Sequence, residues 1–341
     1  MVGLDIEPGY VTAVETGGHE MSVSRAASAE LPAEVVRDGE VVDPVALATV
    51  LRALFAEHKF GTRVRLGLAN QGVVMRTVDL PPLTDPKQLA SAVRFQAQEH
   101  IAMPLDQAVL EFQSLGLVGT PDGPRSRVVL VAARRDMVDR LLTATRAAGL
   151  RPAGIDLSAF AMIRALHRAE DGLAEVAYIN VGGLTNLAVA SGTQCVFTRV
   201  IPFGTEQMVE ALAERRGLTR EHSREWLRHV ALVEPLESIE GDPEIVRSAR
   251  EVLLEGVAAI ADEARTTLDF YAAQAGGPSA ERAVITGPVI GIPGFADRFG
   301  EELRIPVEAR SVAETEAGSL NGIEPGQATV AAGLTVTEAR A

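Results

Sequence analysis

With 46 acidic against 32 basic side chains and a net charge of −14, this 341-residue chain repels a phosphate backbone, and no run of Lys or Arg offsets that, so nucleic acid is excluded as a partner class. Its one cysteine, Cys195, excludes an internal disulfide and any multi-cysteine metal site, and no apolar run of about 18 residues is present to cross a bilayer. The hydrophobic share is 47 % but aromatics are only 4 %, so two or more cores built from Ala, Val, Leu and Ile are expected.

The chain opens directly on a strand, with no basic segment and apolar core of a secretory signal, which points to a cytoplasmic protein. Val2–Glu15 reads VGLDI, EPG, YVTAVE: two β-branched runs around a Pro-Gly break, a hairpin pattern with Asp5 near the end of its first strand. A further strand runs to Leu31 and a turn follows at Asp38-Gly39. Asp43-Pro44 then reads as an N-cap with Pro at the first helical position, and Val45, Leu47, Val50, Leu51 and Leu54 give the helix its apolar face. Val64–Ala69 and Val73–Leu80 are strands of the same α/β unit, closed by Pro81-Pro82.

Thr84 or Asp85 caps a helix from Pro86 to Ala102, with Leu89, Val93, Ala97 and Ile101 along one side. Two strands, Val109–Leu117 and Arg127–Ala133, flank a polar loop at Gly119–Arg125. A helix capped by Asp136 ends at Gly149. Residues 81–152 thus form an α+β insert, and Ala153–Ala169 reads as a helix returning to the first unit, through Ile155, Phe160, Ile163 and Leu166.

The opening plan then recurs. Ala177–Ala190 is again an apolar strand, a polar residue (Asn180), a glycine turn and a second apolar strand, so a duplicated fold with two halves facing across a cleft is expected. Such turns form concavities of backbone N–H groups suited to phosphates, and Asp5 is placed to hold a metal through water. Cys195–Ile201 is a strand, with Arg199 read as solvated or cleft-facing, and Glu206–Arg216 a helix. Leu218–Gln274 is helical text, broken at Gly276-Gly277-Pro278. A third strand and glycine turn, Thr286–Gly294, offers more free N–H groups, and helices at Ala296–Leu303 and Thr329–Thr337 close the chain. His58, His100, His167, His222 and His229 show no metal-binding spacing and are expected at the surface.

The phrases GLDI, LPPLTDPKQLASAVRFQAQEHIAMPLDQAVLEFQ, AAGLRPAGIDL, TLDFY and TGPVIGIPGFADRF, in this order, resemble the PilM family of actin-like type IV pilus assembly proteins, related in fold to FtsA. The resemblance implies an actin-like, ribonuclease H-like duplicated α/β core carrying an inserted α+β subdomain. Its divisions fall at 1–80 and 153–175 for the first half, 81–152 for the insert, 176–216 and 278–341 for the second half, and 217–277 for a helical subdomain. It also implies a partner, the cytoplasmic N-terminal peptide of a PilN-like membrane protein. That peptide would lie in a groove between first half and insert, with Leu89, Val93 and Arg94 as candidate contacts.

ATP or ADP with Mg²⁺ is the implied cofactor. Its candidate residues are Asp5 (also the metal residue), Gly9, Asn180, Gly182, Gly183, Thr185 and Gly287, with Arg265 on the adenosine side. Against the family pattern, Glu7 replaces a glycine, Thr12 a lysine, Asn180 an aspartate and Pro288 a glycine, each change weakening anion or metal binding. A scaffold with a degenerate nucleotide cleft and no catalytic residue is therefore expected. The alternatives are a polymerising actin-like ATPase and a small-molecule or sugar kinase, for which Asp156 is the candidate base.

Overall fold

The computed structural model describes residues 1–17, 21–83, 85–101, 103–121, 123–275, 280–314 and 318–336. Thr84, Ala102, the Gly276-Gly277-Pro278 break and Thr337, all named above as element ends, lie outside the described residues.

β1 (Val2–Glu7), β2 (Tyr10–Gly17) and β3 (Ser22–Glu30) form an antiparallel meander. Its first turn is Pro8-Gly9, where Gly9 has φ +87°, the conformation that the break requires of a glycine. A small hairpin, β4 (Val36–Arg37) and β5 (Glu40–Val41), leads to α1 (Pro44–His58), whose N-cap Asp43 accepts from the backbone N–H groups of Val45 and Ala46. Leu47, Leu51 and Leu54 are buried as expected, but Val45, in the first turn, is 76 % exposed. β6 (Arg63–Leu68) then pairs parallel to β1.

β7 (Val74–Leu80), α2 (Pro86–His100), β8 (Ala108–Thr120), β9 (Gly123–Arg134) and α3 (Arg135–Ala147) follow. Three differences from the sequence reading appear here. β7 pairs with β9 in a separate sheet of order β7-β9-β8, so it joins the insert and not the first half. The supposed Gly119–Arg125 loop is the tip of a long β8–β9 ribbon. Helix α3 starts after Arg134, with Asp136 in its first turn, and packs through Met137, Val138, Leu141 and Ala144 into the core under α1.

The fourth difference is the largest. Arg151–Leu157 is a strand, β10, that pairs parallel to β6, and only Ser158–Leu166 is helical (α4). Ile155 therefore belongs to a sheet edge, where Pro152 is tolerated because an edge residue need not donate to a neighbour.

The second half repeats the first. β11 (Glu175–Val181), β12 (Thr185–Ser191) and β13 (Gln194–Ile201) form the meander; α5 (Thr205–Arg216), α6 (Arg220–His229) and α7 (Pro243–Ala275) follow. β14 (Ala283–Thr286), α8 (Phe295–Leu303) and β15 (Val307–Ala309) add two parallel strands, and α9 (Pro325–Leu334) closes the described chain. The sheet orders are β3-β2-β1-β6-β10 and β13-β12-β11-β14-β15, the same path twice, each with three antiparallel strands then two parallel ones. Between the sheets lie α4 and α9, so close that a Cβ on Gly333 would stand 1.9 Å from the Ala161 carbonyl oxygen.

Candidate functional site

The two meander turns meet face to face. A Cβ on Gly183 would stand 2.1 Å from the Pro8 carbonyl oxygen, and one on Gly182 2.7 Å from the Tyr10 hydroxyl, so both glycines are needed for this approach. Across the contact, the Leu184 N–H donates to Oε2 of Glu7 at 3.1 Å. The N–H group that a phosphate would seek is thus engaged by the protein's own carboxylate.

A second carboxylate covers the first turn. Glu206, in the opening turn of α5, lies where a side chain on Gly9 would have to go: that Cβ would be 2.1–2.4 Å from its carboxyl atoms. Arg220 and Arg224, one helical turn apart on α6, donate to its two oxygens at 2.6 and 2.9 Å, and Arg224 also pairs with Glu30 of β3. This clamp joins the two halves. The third turn closes equally tightly, since a Cβ on Gly287 would meet the Val181 carbonyl at 2.3 Å and Oδ1 of Asn180 at 3.0 Å.

Asp5, Glu7 and Glu206 are 3, 3 and 5 % exposed. Burial pushes the Asp5 carboxyl up to about 7, against a hydrogen bond from the Ser158 hydroxyl. Burial, with the charges of Asp5 and Glu206 beside it, raises Glu7 well above the carboxylate range. Thr185 is committed to the Phe203 carbonyl, and Thr12 accepts from the Gln327 side chain. Two hollows remain beside these turns: one of about 80 Å³ bordered by Tyr10, Ser28, Glu206, Arg224, Val289 and Gln327, and one of about 340 Å³ bordered by Pro8, Gly9, Asp38, Glu206 and Arg220.

Of the residues expected to bind nucleotide, Asp5, Gly9, Asn180, Gly182, Gly183, Thr185 and Gly287 do converge on this cleft. Arg265 does not. It donates to the Glu302 carbonyl at the C-terminal end of α8 and pairs with Asp262, about 10 Å along that helix from its start. Asp156, the candidate kinase base, is held by Arg164 and faces outside the cleft. Glu206, Arg220 and Arg224 were missed by sequence reasoning, although two arginines four residues apart on one helix are a readable anion clamp.

The second hollow lies between the insert and the first half. Val109, Val131, Ala133, Val138, Leu142, Ile155, Leu157 and Phe160 line a groove of about 410 Å³, and Arg65, Glu111, Gln113, Asp156 and Arg164 line an adjoining space of about 330 Å³. Both flanking strands, β8 and β10, are the edges of their sheets. Helix α2 covers the opposite face of the insert's sheet, packing Val93 and Ala97 with partly buried Leu89 onto Val128, Leu130 and Ala132. Leu89 and Val93 are therefore core residues, Arg94 is on the outer surface, and none of the three lines the groove.

Cys195 is buried, its thiol pushed up to about 12 by burial, and is unreactive in this state. His167 is half-buried beside Tyr178, not at the surface. Among the described residues no helix is long and apolar enough to cross a membrane.

Comparison with solved structures identifies the fold. EutJ, an ethanolamine utilization protein of Carboxydothermus hydrogenoformans, superimposes with a TM-score of 0.58 at 15 % identity, over 98 % of this chain and 88 % of that one. MreB5 of Spiroplasma citri bound to ADP gives 0.55 at 12 %, over 97 % and 94 %. With its duplicated sheets and facing turns, the chain has an actin-like fold. A structure described as a PilM–PilN type IV pilus biogenesis complex matches at 26 % identity and a TM-score of 0.79, over 98 % of this chain and 97 % of that one. The model of the family described as type IV pilus assembly protein PilM matches residues 3–316, and the chain belongs to that family.

Proposed function

We propose that this protein is a scaffold of type IV pilus assembly at the cytoplasmic face of the membrane. It holds the N-terminal segment of a PilN-like membrane protein in the groove between first half and insert. The observation that carries this is the apolar groove itself, walled by two edge strands, in a chain similar over nearly its whole length to the PilM of a PilM–PilN complex. An extended segment laid there can pair its backbone with an edge strand while alternate side chains enter the apolar lining. The division into two halves, insert and helical subdomain is part of the same reading, with β7 moved to the insert and β10 to the first half.

The cleft between the halves carries no efficient ATP turnover, and binding of Mg·ATP there is weak or lost, because Glu7 and Glu206 occupy the turns. Titrating a PilN-like N-terminal peptide into the protein tests the groove. Leu142→Arg, on the groove side of α3, should weaken the peptide at least about tenfold with little change in melting temperature. No measurable association of the unsubstituted protein with the peptide would overturn the scaffold reading. Calorimetry with Mg·ATP on nucleotide-stripped protein should give flat heats.

A further inference from the structure

The chain is strongly acidic, yet one end of the first half is not. Residues 58–65 and 146–151 contain Lys59, Arg63, Arg65, Arg146 and Arg151 and no Asp or Glu. Neither segment is a basic run in the sequence. The fold joins them, since Arg63 and Arg151 are register partners at the starts of β6 and β10, both exposed. Lys59 sits in the left-handed C-cap of α1 and Arg146 in the last turn of α3. Lys59, Arg63, Arg146 and Arg151 have no carboxylate partner among the described residues. Of the acids on neighbouring segments, Glu15 accepts from the Gly61 N–H and faces Arg25, and Glu57 lies 3.9 Å from His58.

Helix C-termini favour cations, which accounts for Lys59 and Arg146 in part. It does not account for Arg63 beside Arg151. Like charges directly across two strands are destabilising, and such a pair persists at least cost where an external anion neutralises it. Lys59, Arg63, Arg146 and Arg151 are all exposed and spread over two helix ends and two strand starts, so the array suits an extended anionic surface better than one small anion. Its position completes the argument: Arg146 and Pro152 also line the groove, so the basic end borders the mouth of the groove.

We infer that this end, through Lys59, Arg63, Arg146 and Arg151, docks on anionic phospholipid headgroups. The choice of lipid among anionic surfaces rests on the proposed groove occupant being a segment of a membrane protein. Docking would orient the otherwise acidic molecule with its groove mouth at the bilayer and shorten the span that the partner's segment must cover. Two weak attachments to one membrane then reinforce each other through effective concentration.

Flotation of the full chain, without any partner, is the test. Vesicles of phosphatidylcholine alone should leave it in solution, and vesicles containing phosphatidylglycerol should carry it at low salt and release it as salt rises. Arg63→Gln with Arg151→Gln should lower the partition coefficient roughly tenfold. Lys87→Gln with Arg94→Gln, on the outer face of α2, should leave it unchanged. Equal recovery with neutral vesicles, retention of the Arg63/Arg151 variant, or binding to duplex DNA but not to anionic vesicles would each overturn the inference. Peptide affinity of the same variant should match that of the unsubstituted protein, which separates this claim from the groove.

Discussion

The cleft between the halves and the groove beside the insert are both hollows between packed elements, but they are finished in opposite ways. Around the cleft every turn is closed by backbone or by a carboxylate of the chain itself: Glu7 on Leu184, Glu206 on Gly9, Val181 on Gly287. Around the groove the walls are mainly apolar side chains and two strand edges, which among the described residues stay unpaired on their outer sides.

One substitution made in both places exposes the contrast most sharply. Gly183→Ala drives a methyl group into the Pro8 backbone and should cost about 3 kcal/mol, lowering the melting temperature by several degrees. Gly154→Ala, beside the groove, meets nothing nearer than the Arg65 side chain at 3.9 Å and should stay within about 0.5 kcal/mol. Equal melting shifts would mean the cleft is looser than described.

Removing the second carboxylate comes next. Glu206→Ala removes the carboxylate that Arg220 and Arg224 share and should cost about 2 kcal/mol in thermal or denaturant unfolding, less than a fully enclosed pair because Arg220 is partly exposed and Arg224 keeps Glu30. It also uncovers the Gly9 turn. If the carboxylates are what block the cleft, heats of Mg·ATP binding should appear in this variant and not in the unsubstituted protein.

A smaller effect follows from Asp5. Its pKa is raised to about 7 in the folded protein from the ordinary 3.8, so the native state keeps a proton that the unfolded chain has released. Stability from this group is full below about pH 4 and falls as pH rises toward 7. Asp5→Asn should flatten that part of the melting-temperature profile and raise the melting temperature at pH 8 by roughly 2–5 °C. A profile unchanged by the substitution would show that Asp5 titrates normally. The smallest expected effect is Arg94→Ala, which should leave peptide affinity within about 0.5 kcal/mol, since α2 covers the wrong face of the insert for the groove. A tenfold loss there would relocate the partner site.

Local chemistry made much of this legible from residues alone. Pro8-Gly9 and Gly182-Gly183 announce their turns, Asp43-Pro44 its helix start, and the repeated hairpin the duplication. What failed were pairings set at long range. From Ala153 the chain leads through Ile155 into a 3.6-spaced run with Phe160, Ile163 and Leu166, so 153–169 reads as helix; only β6, more than eighty residues earlier, makes Arg151–Leu157 a strand. Glu206 stands almost two hundred residues from Gly9, and nothing near either residue reports the contact. Val73–Leu80 has strand text that fits either sheet, and its partner β9 decides the matter.

The place of α9 has a consequence for how the chain is made. This helix, Pro325–Leu334, packs its Ala328, Ala331 and Ala332 against Val14, Val23 and Ala26 of the opening meander, and a Cβ on Gly3 would touch the Ala331 carbonyl. During synthesis the first strands therefore emerge long before the surface that covers one of their faces. The N-terminal sheet must wait, half-clothed, until a helix that begins 295 residues after the end of β3 has left the ribosome. Its completion is a contact of very high sequence separation, the kind that slows folding and leaves apolar surface open to chaperones in the meantime.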